Sequence, residues 1–203
     1  MSVSLKKGQK VSLSKNAPAG LSKVMVGLGW DPVKKSGGGG FFSSLFGGSA
    51  PDYDLDASVF LLKNGKLRDE YEDLVYFGNL KHRTGAVWHR GDNLTGGGEG
   101  DDEQIFIDFP KLPSEYDRLV IVVNIFQAYE RKQDFGQVKN AFIRIVDFQK
   151  RQEMCRFDLT DNYSGMTAMI FGELCKEGNE WKFVAVGEGT KDRGLKDMSR
   201  RYL

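Results

Sequence analysis

Five acidic side chains, Asp92, Glu99, Asp101, Asp102 and Glu103, fall within the stretch "GDNLTGGGEGDDE" of residues 91–103. Carboxylates this close repel one another and oppose a compact fold, so a counter-charge is expected. Calcium is the cation whose chemistry matches. It takes about six to eight hard oxygens from carboxylates, amides, backbone carbonyls and water. The segment offers carboxylates and the amide oxygen of Asn93, and its glycines let carbonyls turn inward where a side chain would obstruct.

A second acidic group, "DYDLDAS", sets Asp52, Asp54 and Asp56 at alternate positions. Its opening mimics an EF-hand loop, but the sixth position is Ala57 rather than Gly and the twelfth is Lys63 rather than Glu. Strand-like residues follow instead of a helix, so this is not an EF-hand. The opposing reading is a pair of solvated acidic turns, since Asp and Gly are ordinary turn residues. The density of charge argues against it.

Other chemistries are poorly supplied. The glycines at 96–100 lead into Asp101 and Asp102 without Gly-Lys-Ser/Thr, which excludes a P-loop. "GLGWDP" (27–32) lacks the third glycine of a dinucleotide fingerprint, and Pro32 would sit badly inside a following helix. His82 and His89 are seven apart, which does not place them on one strand face, and neither Cys155 nor Cys175 adjoins a histidine. No catalytic residue is assigned. Zinc is disfavoured because the acid cluster supplies oxygen rather than sulfur or imidazole.

The elements that must position these acids punctuate as an all-β protein. Strands are expected at 23–30, 57–66, 104–109, 118–126, 141–148, 154–159, 167–174 and 181–187, short runs rich in β-branched and aromatic residues between turn signals. In "QIFIDF", Ile105, Ile107 and Phe109 share one face while Gln104 and Asp108 share the other. Asn64-Gly65 is a turn signal, because both residues tolerate positive φ. Helical patterning is weak, with one short helix expected within 128–137. The expected fold is a two-sheet β-sandwich with calcium-binding loops and at most one or two short helices.

A chain of 203 residues is most simply one domain, 1–203. The formal net charge of +1 does not indicate a nucleic-acid partner. "MSVSLKKGQK" has no apolar signal-peptide core, and the longest apolar run, "LVIVVNIF", is strand-sized rather than membrane-spanning. Two cysteines are too few for a disulfide framework. A cytoplasmic protein is expected. One segment breaks the pattern: "SGGGGFFSSLFGGSAP" (36–51) reads as a flexible insertion with Phe41, Phe42, Leu45 and Phe46 at its tip, a cluster that suggests contact with a partner or a membrane surface.

The chain resembles the TerD family of bacterial tellurite-resistance and general stress proteins. The resemblance rests on "SLKKGQKVSLSK" (4–15), "VGLGWD" (26–31), "DLDAS" (54–58), "GDNLTGGGEGDDE" (91–103), "RKQDFGQVKNAFIRI" (131–145), "TAMIFGEL" (167–174) and "EWKFVAVGEG" (180–189), in order and almost end to end. It implies a calcium-binding β-sandwich. It carries metal-ligand roles onto Asp54 and Asp56, and onto Asp92, Asn93, Asp101, Asp102 and Glu103. Asp31 of "GWD" and Asn79 of "YFGNL" also fall at positions the family pattern favours. The chain departs from that pattern in the insertion at 36–51 and in Cys175, where relatives usually carry tyrosine.

Binding is therefore expected rather than catalysis, with one or two Ca²⁺ ions joining loops at one end of the sandwich and presenting a surface to a protein partner of the stress response. The alternative is a metal-dependent enzyme using Mg²⁺ or Ca²⁺ against a phosphate-containing substrate. Magnesium typically needs only one or two protein carboxylates, and the acids at 91–103 exceed that need.

Overall fold

Alternation of apolar and polar side chains resolves into two six-stranded sheets packed face to face. The computed structural model describes residues 2–15, 21–31, 53–91 and 100–203. The insertion at 36–51, with Phe41, Phe42, Leu45 and Phe46, and the expected ligands Asp92 and Asn93 lie outside the described residues.

The strands are β1 (Val3–Leu5), β2 (Lys10–Ser12), β3 (Lys23–Asp31), β4 (Leu55–Leu62), β5 (Leu74–Val75), β6 (Val87–His89), β7 (Glu103–Asp108), β8 (Arg118–Ile125), β9 (Lys139–Asp147), β10 (Gln152–Asp158), β11 (Ala168–Glu177) and β12 (Glu180–Thr190). Sheet A runs β1-β10-β9-β3-β7-β6 and sheet B runs β2-β12-β11-β8-β4-β5. All pairings are antiparallel except β1 with β10. The core lies between the sheets. Val24, Val26, Ile105, Ile107, Ile143 and Ile145 point inward from sheet A to meet Leu55, Val59, Leu61, Ile121 and Val123 from sheet B. A smaller apolar cluster covers the outer face of sheet B, where Phe60, Leu62, Val120, Val122 and Ile170 pack with Met198.

All eight expected strands are present, the one expected at 57–66 running over Leu55–Leu62, with Asp56 inside it and residues 63–66 given to the turn. Asn64 and Gly65 both adopt positive φ, 53° and 72°, closing the turn from Lys63 to Lys66. Among the described residues, helix is confined to α1 (Ala128–Arg131), α2 (Leu195–Ser199) and three short 3₁₀ turns. Four further strands, β1, β2, β5 and β6, have only two or three residues each, too few for alternation to show in the sequence. They sit at the sheet edges and gain their conformation from a neighbour. Among the described residues, no helix is long and apolar enough to cross a membrane.

Candidate functional site

Register brings the acidic segments to one end of the sandwich. Leu28 near the end of β3 faces Glu103 at the start of β7, and Leu55 at the start of β4 faces Ile125 at the end of β8. Acids that are far apart in sequence therefore emerge from neighbouring strand ends.

Asp56 and Asn124 are directly opposite on β4 and β8, on the outer face of sheet B. They are only 3% and 7% exposed. Asn124 Nδ2 donates to Asp56 Oδ2 at 3.4 Å, while the amide oxygen, Oδ1, has no hydrogen-bond partner among the described residues. Ser58 Oγ, two residues along the same face, also lacks one there. A buried acceptor left unmatched costs about 1–3 kcal/mol, so these oxygens fit a cation better than an apolar neighbour. Asp54 is nearby on the chain, with Arg131 Nη1 at 3.9 Å from its Oδ2. That guanidinium also lies over the Phe126 ring, 5.0 Å from its centroid.

Glu103 points between the sheets. β5 pairs only with Val59 and Phe60 of β4, and the backbone N–H of Ala57 beyond it donates to Glu103 Oε2 at 2.5 Å. One carboxylate thus ties sheet A to sheet B. His89, on the neighbouring β6, is also buried. Its Nδ1 accepts from the backbone N–H of Gly91 at 3.0 Å, which puts the ring proton on Nε2, 3.4 Å from Glu103 Oε2 but without hydrogen-bond alignment.

Asp101 faces a different way, onto the outer surface of sheet A. Its fully buried side chain receives Arg144 Nε at 2.7 Å and Nη2 at 3.0 Å, a two-pronged grip on both oxygens. The carboxylate lies against Gly27, where a Cβ would collide with it, and a Cβ on Gly29 would strike Phe142 and the carbonyl of Gly100. The glycines of "GLGW" are therefore the seat on which the acidic loop rests. Asp102 completes the docking: its N–H donates to the carbonyl of Leu28 at 2.8 Å, and its Oδ2 accepts from the N–H of Trp30 at 2.8 Å. Burial chiefly, then the nearby Asp101 and Asp31, push its carboxyl above the ordinary value against the lowering effect of the Trp30 bond.

Asp31 is exposed and accepts from Asn140 Nδ2 at 2.6 Å. Asn79 is half-buried, and its Nδ2 donates to the carbonyl of Leu74 at 2.7 Å and to that of Tyr71 at 3.3 Å, holding the turn after β5. Among the described residues, no three His, Cys, Asp or Glu side chains are grouped so as to hold a metal ion. The candidate oxygens instead occupy an outer face (Asp54, Asp56), the inter-sheet mouth (Glu103) and the opposite outer face (Asp101). Asn124, Arg144 and His89 escape a reading of the sequence. Asn124 has a visible signal, an amide interrupting the apolar run "LVIVVNIF".

Asp73, His82 and Tyr116 form a buried cluster that serves the fold. Tyr116 OH donates to Asp73 Oδ1 at 2.5 Å, His82 Nε2 lies 3.5 Å from the same oxygen, and all three side chains are about 1% exposed. Burial, then Glu153, pushes the Cys155 thiol up to about 12. Burial, then Glu173, raises Cys175 to about 11. Neither is an activated nucleophile.

The family model described as "TerD domain" matches residues 1–202. Over 203 residues the chain is 58% identical to the stress response protein SCP2 of Bacillus subtilis, covering all of both chains. It is 48% identical to the tellurium resistance protein TerD of Serratia marcescens, covering 100% of this chain and 97% of that one. In three dimensions it is similar to a homologue of telluride resistance protein (TerD) from Streptomyces coelicolor A3(2), with a TM-score of 0.61 and 20% identity over 85% of this chain and 92% of that one. The chain belongs to the TerD domain family.

Proposed function

We propose that this protein is a non-enzymatic calcium-binding member of its family that serves in the bacterial stress response, including resistance to tellurium compounds. Relatives named for tellurium resistance and for stress response support the role. The observation that carries the calcium reading is the Asp56–Asn124 pair, where a buried carboxylate stands beside a buried amide oxygen with no hydrogen-bond partner among the described residues. Asp54 and Glu103 belong to the same end of the sandwich, and Asp92 and Asn93 would be supplied from the chain that joins β6 to β7.

Calcium bound there would neutralise carboxylates that otherwise repel, and the ordered loops would present a surface to a cytoplasmic protein partner. The protein's own contribution is to hold the donors ready. Arg144, Gly27 and Asp102 fix where the acidic segment returns to β7, and Glu103 fixes its distance from β4. The deciding experiment is calorimetric titration of chelator-stripped protein with Ca²⁺ and, separately, Mg²⁺. Saturable heat with one or two Ca²⁺ per chain, and weaker Mg²⁺ binding, is expected. Absence of Ca²⁺ heat at millimolar concentration would sink the reading.

A further inference from the structure

The outer face of sheet A carries a cleft of about 330 Å³, separate from the Asp56–Asn124 pair on sheet B. Its construction follows from register. Met25 of β3 lies between Val146 of β9 and Phe106 of β7, and all three point outward as a continuous apolar floor. The next row toward the acidic loop is Arg144, Gly27 and Gln104. At the other end Phe148, 47% exposed, stands edge-on to Phe106 with centroids 5.5 Å apart. Trp88 stacks on Phe106 at 5.2 Å and 9°. Phe106 is buried beneath them, and Lys23 Nζ lies over both Trp88 and Phe148, at 5.2 and 5.5 Å from their centroids. The half-exposed Phe148 ring is the surface offered to a flat ligand.

The polar rim is cationic. Arg144 is engaged by Asp101 and, at 3.4 Å, by Glu153. Arg90 and Arg151, which also line the cleft, have no acidic partner among the described residues. Arg90 is oriented by the bond from its Nη1 to Gln104 Oε1 at 2.8 Å, in a hydrogen-bonded chain that continues through Gln104 Nε2 to Asp101. An exposed guanidinium with no acidic partner among the described residues is suited to two-pronged recognition of a phosphate. Glu153 is a carboxylate in the lining; its Oε1 accepts from Ser2 Oγ at 2.6 Å and its Oε2 from Arg144 Nη1 at 3.4 Å. Each oxygen keeps a second lone pair for an N–H group on the edge of a base.

We propose that this cleft binds a small purine nucleotide, with its ring on the floor against Phe148 and its phosphate on Arg90 or Arg151. The volume is at the lower end for small-molecule sites and suits one nucleotide. A formal net charge of +1 does not favour a long polyanion, so a free nucleotide fits better than a nucleic-acid strand.

The test is calorimetry with GMP on the full chain in chelator, so that metal-bound phosphate makes no contribution. Saturable binding is expected, with guanosine and inorganic phosphate each at least about tenfold weaker than GMP. Phe148→Ser and the double variant Arg90→Gln, Arg151→Gln should each weaken GMP by about tenfold or more with melting temperature unchanged. Should Phe148→Ser fail to fold, the arginine pair, being on exposed side chains, decides alone. No saturation at millimolar GMP would overturn the proposal, as would undiminished affinity in the arginine variant. Equal affinity for 4-hydroxybenzoate would replace the nucleotide with an aromatic acid, and tighter binding of an oligonucleotide would replace it with a strand.

Discussion

Asp101 lays its carboxylate against the bare Cα of Gly27, at the point where Arg144 holds both of its oxygens. The contact joins two features that look unrelated in sequence, a Gly-x-Gly strand and an acidic loop. It also gives Asp101 a structural occupation before any metal is considered.

Arg144→Ala should therefore cost about 2 kcal/mol of folding stability, below the roughly 3–5 kcal/mol of a fully buried broken pair because Arg144 keeps 29% of its side chain exposed. Gly27→Ala should destabilise by a similar amount by lifting the loop from its seat. Urea unfolding of both variants checks this. A double-mutant cycle of Arg144→Ala with Asp101→Asn should show strong coupling.

Calcium should raise the melting temperature strongly and magnesium weakly. Binding confined to the native state stabilises it by about 2.7 kcal/mol at a hundredfold excess over Kd. Asn124→Leu removes the buried amide oxygen at similar size, and with it the Nδ2 donor to Asp56, so calcium affinity should fall and the metal-free protein should lose about 1–3 kcal/mol at most. Thermal melts in chelator and in Ca²⁺ read both. An unchanged calcium response in Asn124→Leu would place the ion elsewhere.

Burial lowers the pKa of His82 from 6.5, with Asp73 acting in the opposite direction. The native state therefore takes up its proton less readily than the unfolded chain does. Stability from this group is fully present above about pH 6.5 and is lost as pH falls toward the native pKa, at a slope of up to about 1.4 kcal/mol per pH unit. His82→Gln should flatten that limb. Urea midpoints measured from about pH 5 to about pH 8 make the comparison.

Cys155 and Cys175 should react slowly with a thiol reagent at neutral pH, because burial holds both thiols well above their ordinary value of 9.0. Cys175 should react first, being half-buried where Cys155 is fully buried. Labelling followed by mass spectrometry, with and without denaturant, gives the order.

Excising residues 37–49 should leave melting temperature and calcium binding nearly intact. The sandwich core is already lined on both faces by described strands, and the glycines of the insertion would only add chain entropy to be lost. If Phe41, Phe42, Leu45 and Phe46 meet a membrane or a protein, co-sedimentation with anionic liposomes or pull-down should weaken on excision. A shortened chain that unfolds would put those phenylalanines in the core.

The long strands are legible in the sequence because each buries a full alternating face; "QIFID" lies in β7 with Ile105 and Ile107 inward as its pattern requires. Phe109 instead opens the 3₁₀ turn before Pro110 and is still buried in the core. The loop acids are legible as a group but not as individuals. Spacing cannot say that Asp101 turns to one outer face, Glu103 to the inter-sheet gap and Asp56 to the other outer face, because that division depends on which strand each flanks. Arg144 is invisible for the same reason: its partner lies 43 residues earlier. "GLGW" can be rejected as a nucleotide fingerprint, yet its purpose emerges only with β3 lying beneath residues 100–102.

The first two strands have a further consequence, in the order of events on the ribosome. β1 waits for β10, and β2 waits for β12, the last strand among the described residues. β1 and β2 are made before these partners and must remain unpaired until β10 and β12 have emerged. Such distant partners make closure slow, since loop entropy is lost before the contacts form. The lysines at 6, 7 and 10 suit that interval, because a short, charged, hydrophilic segment resists premature association while it waits.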